Sequence, residues 1–374
     1  MKIGALVVSI ALLSVTQSGF SATGGSFKRF SVSAGWLHAM PQGKANPFNI
    51  STPIANGRNA NIGSVSLNAV VNSIDPSDVN ADAMKSILNM LGDMYKENPN
   101  EPELSQFFEL KNVNGTDEVY LKDALSGSAD LYGLEQWTAG GSGLEVQDAD
   151  TLGLMMNYYV NDNVSLQLIG GIPPKVDIKG KGEILAPMSG IGHTGIGLDL
   201  PLAQVAQDIP ITNLGSKSKV ATVRAWTPAF EAQYQFGKSG INKFRPYVGL
   251  GIMYAHFGSI KVNGETKADL VAAGHMIQNI LDGKAGAALD REQSSASPYV
   301  RVKSEDAFAP IVSLGATYDI TSNWYGVASV SYSKLNNKTT IDVIDRNTGN
   351  RLIHSSTKID IDPLITYLGV GYRF

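Results

Sequence analysis

Side chains able to do acid–base or metal chemistry are sparse here: 17% of the 374 residues are Asp, Glu, Lys or Arg, and five are histidine. A hydrolytic metal site needs histidines and carboxylates at short, regular spacing. His38, His193, His256, His275 and His354 are instead dispersed, and His256, near the top of a strand-like segment, reads as an interfacial or lumenal residue. The pairs Asp148/Asp150 and Asp360/Asp362 could hold a cation weakly, but read more naturally as solvated loop carboxylates. GHTGIG (192–197) has the glycines of a phosphate loop without the strand and helix that make one work. Partners in a catalytic triad need not be close in sequence, so spacing argues for none. The expectation is a chain without cofactor, metal or enzymatic activity, and a net charge of −4 argues against a general nucleic-acid binder.

A second set of residues suggests a different chemistry. Arg29, Glu231, Arg245, Asp319 and Arg373 recur at one parity of alternating segments, and charges confined in a narrow, dry space must pair to offset desolvation. Their meaning depends on the elements that carry them. With 39 Gly and no Cys, disulfide frameworks and thiolate metal sites are excluded. Mean hydropathy near zero is too polar for a helical membrane protein. Lys2, the apolar run at 3–15 and the small, polar TQSGFSA follow the order of a secretory signal peptide, with cleavage expected after Ser21 or Ala22. That run falls short of the ~20 residues a membrane helix needs.

Beyond it lie period-two segments. In FKRFSVSAGWLH (27–38), Phe30, Val32, Ala34 and Trp36 share one face; TLGLMMNYYV (151–160) and NVSLQLIGGI (163–172) form a hairpin around an Asn/Asp turn. TPAFEAQYQF (227–236), FRPYVGLGIMYAHF (244–257), PIVSLGATYDI (310–320), WYGVASVSYSKL (324–335) and the terminal ITYLGVGYRF bring the total to eight. Short turns at 161–163, 237–243 and 321–323 alternate with long connections at about 41–148, 179–219 and 259–305, and a shorter one near 345–350. In an up-and-down sheet the long loops then share one end, the layout of an outer-membrane barrel. Tyr158, Phe236, Phe244, Tyr318, Trp324, Tyr372 and Phe374 would form an interfacial girdle. Two helices are expected inside the loops: one from Asp75 as N-cap through Val79, Ala83, Ile87, Leu91, Met94 and Tyr95, the other over 265–284. They either cap the barrel mouth or pack on the loops beside them.

The fold class read from these patterns is all-β: an eight-stranded antiparallel transmembrane β-barrel (23–374) with long extracellular loops containing short helices. The segments FRPYVGLGIMYAHF, SVSAGWLHAMPQG, NYYVNDNVSLQLIGGIPPKVDIKGKG and DPLITYLGVGYRF resemble strands of the outer membrane protein W family, which includes the AlkL-type alkane importers. The likeness runs over all eight strands but not the large first loop. It implies a bacterial outer-membrane location, closure by the terminal strands, recognition of Phe374 by the barrel assembly machinery, and passive uptake of small hydrophobic molecules.

An eight-stranded barrel is only wide enough to be filled by side chains or hold one small ligand. The charged set is therefore expected to plug the periplasmic end by ion pairing, unless some members merely reach periplasmic water. Leu37, Met155, Ile169, Met253 and Phe257 would line an apolar channel above it. A solute stopped below must leave sideways into lipid. Proline lacks the N–H that a strand ladder needs, so Pro173, Pro174, Pro228 and Pro310 are candidates for a lateral opening, or else mark strand ends and bulges. Binding of a partner by the loops of an adhesin-like barrel, or less readily a barrel enzyme, are the alternatives; oligomeric state is not legible.

Overall fold

The computed structural model describes residues 28–193 and 202–374, so the signal-peptide assignment and part of GHTGIG lie outside the described residues. Eight long strands carry the period-two pattern: β1 (Phe30–Pro41), β2 (Ala149–Tyr159), β3 (Val164–Gly171), β4 (Ala229–Gln235), β5 (Phe244–Val262), β6 (Ala307–Asp319), β7 (Trp324–Ser333) and β8 (Pro363–Arg373). Each pairs antiparallel with its sequence neighbour among these eight. The first and last pair as well, Ser31 opposite Arg373 through Pro41 opposite Pro363, which closes the cylinder and leaves no free edge.

Alternation now has a physical sense on both faces. Outward stand Leu250, Ile252, Val312, Leu314, Leu368 and Val370, all exposed, with Leu314 at 65%. A contiguous apolar band of this kind is a liability in water and a requirement in lipid. It is bounded by aromatics. Tyr158, Phe236, Phe244, Tyr318, Trp324 and Phe374 are exposed at the short-turn end, where Trp324, Tyr372 and Phe374 pack ring to ring at 5.1 Å. On β5, Phe244 and Tyr254 point outward ten residues apart, which at ~3.3 Å per residue and ~40° of tilt spans about 25 Å, the height of an outer-membrane apolar belt.

The long connections hold far more regular structure than expected. Strands Pro298–Ser304, Asn336–Asp345, Arg351–Asp360, Phe48–Ser51 and Gln136–Ala139 form a five-stranded sheet. Gly143–Val146, Lys175–Lys181 and Ala221–Trp226 extend the barrel wall upward alongside the far half of β5. A third sheet runs through Leu202–Asn213, Glu183–His193, Ser128–Tyr132 and Arg58–Asn61. The apolar core is continuous from Met155 and Met253 in the barrel to Ile50, Ile277 and Ile353 above it.

The two helices divide between the two expectations. α1 (Ala81–Glu97) packs through Leu88, Leu91 and Tyr95 on a satellite cluster with Phe108 and Leu121 of the hairpin beside it. Its start corrects the sequence reading: Asp75 accepts from Ser77 N–H in a turn, the helix begins only at Ala81, and Val79 is 94% exposed. α2 (Gly264–Leu281) is capped by Asn263, whose side chain accepts from Glu265 N–H, and lies across the top of the core.

Candidate functional site

The interior of the barrel changes character along its axis. Nearest the short turns it is filled by polar groups most of which pair with one another, although Asn157 Oδ1 and Gln235 Oε1 are buried without a partner. Arg373 donates to Asp319 at 2.5 Å and stacks over the Tyr325 ring at 4.3 Å. Arg245 spends its guanidinium mainly on turn carbonyls, Asp162 O at 2.5 Å, Phe236 O at 3.2 Å and Gly237 O at 3.3 Å, with the Asp162 carboxylate 3.8 Å away. Above them Gln235 donates to Thr317 and Gln233 to Gln167, both at 2.7 Å.

Tyrosines complete the filling. Tyr325 donates to Ser31 Oγ at 3.0 Å and Tyr367 to Ser33 Oγ at 3.1 Å. These rings fit because glycines face them: a Cβ on Gly371 would overlap the Tyr325 ring, and one on Gly315 the Tyr247 ring. What remains among Ser33, Asn157, Gln233, Tyr247 and Tyr325 is a void of about 10 Å³, close to the ~10–15 Å³ that one water needs.

One member of the expected ion-paired plug behaves otherwise. Glu231 is fully buried, yet takes its hydrogen bonds from Ser313 Oγ at 2.5 Å and Gln233 Nε2 at 3.4 Å rather than from a cation. Neutral donors suffice because the small Ser and Gly residues around it let both approach. Arg29 precedes the first rung of β1 and is exposed, the placement that the sequence reading allowed for as contact with periplasmic water.

Next come the residues assigned to an open channel. Met155, Ile169 and Met253 are buried and packed with Ala229, Ala309 and Ile311, and Leu37 packs against the same cluster. They fill the lumen at this height instead of lining a tube, because eight strands enclose too little space for more. Only Phe257 of the five borders a real cavity, and that cavity lies higher.

It sits where the upper sheets meet. Ile50, Leu144, Ile178, Val223, Phe257 and Ile353 form part of its wall, and α2 roofs it with Leu270, Met276 and Ile277. Its volume is about 100 Å³, against the ~10–15 Å³ that a single water requires. The sequence reading placed most of these residues in loops; their period-two apolar pattern, as in Lys175–Lys181 with Val176 and Ile178 inward, was the available signal.

The wall beside the junction is broken. β3 and β4 pair from Val164 opposite Tyr234 to Ile169 opposite Ala229, and pairing resumes at Lys175 opposite Arg224. Between these points Ala225 N–H reaches Pro174 O at 3.1 Å, while Ile172 N–H turns away to Leu152 O. Pro173, Pro174 and Pro228 flank the gap and have no N–H to give. β5 runs unbroken past it, holding β4 below and Ala221–Trp226 above. Pro310 is not part of this break. It stands opposite Ile252 in the β5–β6 ladder and accepts from Lys334 N–H at 3.3 Å, at the level where β7 ends.

The residues weighed for metal chemistry pair singly. His38 meets Asp150 at 2.8 Å, His256 meets Asp306 at 2.7 Å, His193 meets Asp130 at 3.0 Å and His354 meets Asp342 at 2.7 Å. Asp360 and Asp362 are bridged to Lys358 and Lys334. Among the described residues no group of three or more such ligands gathers.

A family model described as the OmpW family matches residues 124–290. Outer membrane protein W of Vibrio cholerae serotype O1 is 24% identical over 234 residues, 62% of this chain and 77% of that protein. The Salmonella typhimurium protein of the same name is 24% identical over 233 residues, with the same shares covered. Among solved structures, the outer membrane protein OprG of Pseudomonas aeruginosa superposes with a TM-score of 0.47 at 14% identity, over 93% of this chain and 96% of that one. AlkL in lipid bilayers gives 0.37 at 14% identity, over 96% and 97%.

Proposed function

We propose that this chain is a member of the OmpW family of bacterial outer-membrane barrels and that it passively takes up small hydrophobic molecules from the extracellular side. The observation that carries this reading is a vertical sequence: an apolar cavity of about 100 Å³, a lumen filled directly beneath it, and a break in the wall beside the junction. Apolar walls favour an alkyl or aromatic body by burial, at ~25 cal/mol per Å² of surface removed from water. The filled lumen denies a straight passage. A molecule released from the cavity therefore leaves through the gap at Pro173, Pro174 and Pro228 into the outer leaflet, where its partition is favourable without any energy source.

On this reading the protein is not an enzyme; its ordered polar groups serve to hold the plug. Removal of the leader after Ser21 or Ala22, and recognition by the assembly machinery of Phe374, which is exposed beside Tyr372, belong to the same proposal. The test is uptake of a hydrophobic solute by proteoliposomes carrying the Ile277→Trp protein. The added indole fills the cavity while the barrel below is untouched, so uptake should fall several-fold with the heat-modifiable gel band preserved. Wild-type rates in a correctly assembled variant would overturn the reading and favour a structural or partner-binding head.

A further inference from the structure

The cavity wall is not uniformly apolar, and its polar groups fall into two kinds. Ser304, Asn337 and Thr339 face one another, with Asn337 Oδ1 accepting from Ser304 Oγ at 2.7 Å and from Thr339 Oγ1 at 3.2 Å. Thr212 donates to Asp269 at 2.7 Å. These groups are satisfied within the protein. Two others in the same wall are not: the Trp137 indole Nε1 and the Thr266 Oγ1 are hidden from solvent and have no hydrogen-bond partner.

Neither group is needed by the element that carries it. Thr266 is 5% exposed in the first turn of α2, but that turn is already capped by Asn263. Trp137 stands opposite Ile50 in a ladder built from backbone groups alone. Burying an unsatisfied polar group is costly, and native structures keep few such groups. Water is a poor remedy in a cavity whose wall is dominated by aliphatic side chains. Indole N–H only donates, and a threonine hydroxyl can donate. The missing partner is thus an acceptor oxygen carried in on an apolar body.

We infer that the cavity selects apolar molecules bearing an acceptor oxygen, such as ketones, esters or alcohols, over bare hydrocarbons, with Trp137 and Thr266 as the selecting donors. This deepens the uptake reading and rests on it. Trp137 on the five-stranded sheet and Thr266 on the roofing helix border the cavity from different elements, so the preference is a property of the closed chamber.

The experiment compares 2-hexanone with n-heptane, which has the same number of non-hydrogen atoms. Headspace gas chromatography over nanodiscs holding the full chain measures binding, and Ile277→Trp nanodiscs supply the background outside the cavity. After correction for partition between water and empty nanodiscs, the ketone should bind about two- to tenfold more tightly, the worth of one net hydrogen bond. Trp137→Phe and Thr266→Val should each reduce ketone binding and leave heptane unchanged, while Thr266→Ser, which retains the hydroxyl, should keep the preference. Equal binding of both probes in the wild type, or equal losses for both in the variants, would overturn the selection while leaving the cavity as a hydrophobic site. Absence of cavity-specific binding by either probe would overturn the uptake reading along with it.

Discussion

The lower lumen and the upper cavity are built on the same strands, yet one is full and the other is not. β5 passes through both, presenting Arg245 and Tyr247 below and Phe257 above. Below, tyrosines lie across glycines on facing strands and amides pair with hydroxyls, so each side chain consumes the space its neighbour leaves. Above, the wall leaves the eight-strand cylinder and is enlarged by separate sheets with aliphatic faces, which cannot interdigitate as closely across the wider span. The contrast teaches that the seal and the site are separable: the number of strands sets the first and the loops set the second.

That separation can be attacked from below. Tyr325 is fully buried, hydrogen-bonded to Ser31 and covered by Arg373, so Tyr325→Ala should cost about 3–5 kcal/mol in denaturant unfolding of the assembled barrel. It should also open a leak to small ions across planar bilayers. A tight barrel without Tyr325 would mean that the seal lies elsewhere. Somewhat smaller, Asp319→Ala strands Arg373 and should cost about 3 kcal/mol, whereas Glu231→Gln, whose single oxygen can accept from Gln233 while its N–H₂ donates to Ser313 Oγ, should cost less than about 1 kcal/mol. Equal losses in the two variants would show that Glu231 is held as a charge after all.

Attacked from above, the upper sheet should respond to acid where the lumen does not. Burial alone would raise the Asp342 carboxyl, but hydrogen bonds from His354 and Arg301 outweigh it and hold the group below its ordinary value. A depressed carboxylate stabilises the fold fully above its unfolded pKa, near 3.8, and loses that contribution as pH falls through the lower folded value. Amide exchange in Asn336–Asp345 and Arg351–Asp360 should therefore accelerate from about pH 4 downward, with the barrel strands unchanged. Asp342→Asn should flatten that dependence; an unaltered profile would assign the sensitivity to another group.

How far the sequence reached follows the same division. Strand alternation made the barrel legible down to its strand order, because lipid on one side and a narrow interior on the other impose period two, while the closing pair came from the family resemblance. Alternation misjudged the lumen at Glu231, which is met by Ser313 and Gln233, partners no spacing announces. Of the cavity only Phe257 was anticipated. Its walls come from Phe48–Ser51, Lys175–Lys181, Asn336–Asp345 and α2, segments far apart in the chain whose convergence depends on long-range pairing. The channel residues were sought inside the cylinder for want of that information.

The prolines give the finest version of the comparison, since four residues of one type were assigned one role and the structure divides them. Pro173, Pro174 and Pro228 border a stretch where β3 and β4 exchange no ladder bonds. Replacing Pro173 and Pro174 together by valine restores two backbone donors, of which no more than one can face that stretch because successive N–H groups of an extended chain point to opposite sides. If the gap is the exit, hydrophobic-solute uptake should fall about three-fold, matching less than one net hydrogen bond of added closure. Pro310 lies two strands from β4 in the sheet order, with Ala309 and Ile311 paired to β5 on either side of it. Its valine variant adds one donor at the end of the β6–β7 ladder, on a lipid-facing residue, and should change stability by less than about 0.5 kcal/mol and uptake not at all. Should Pro310→Val impair uptake as much as the double substitution, the effect would be a general stiffening of the wall, and the exit would have no particular place in it.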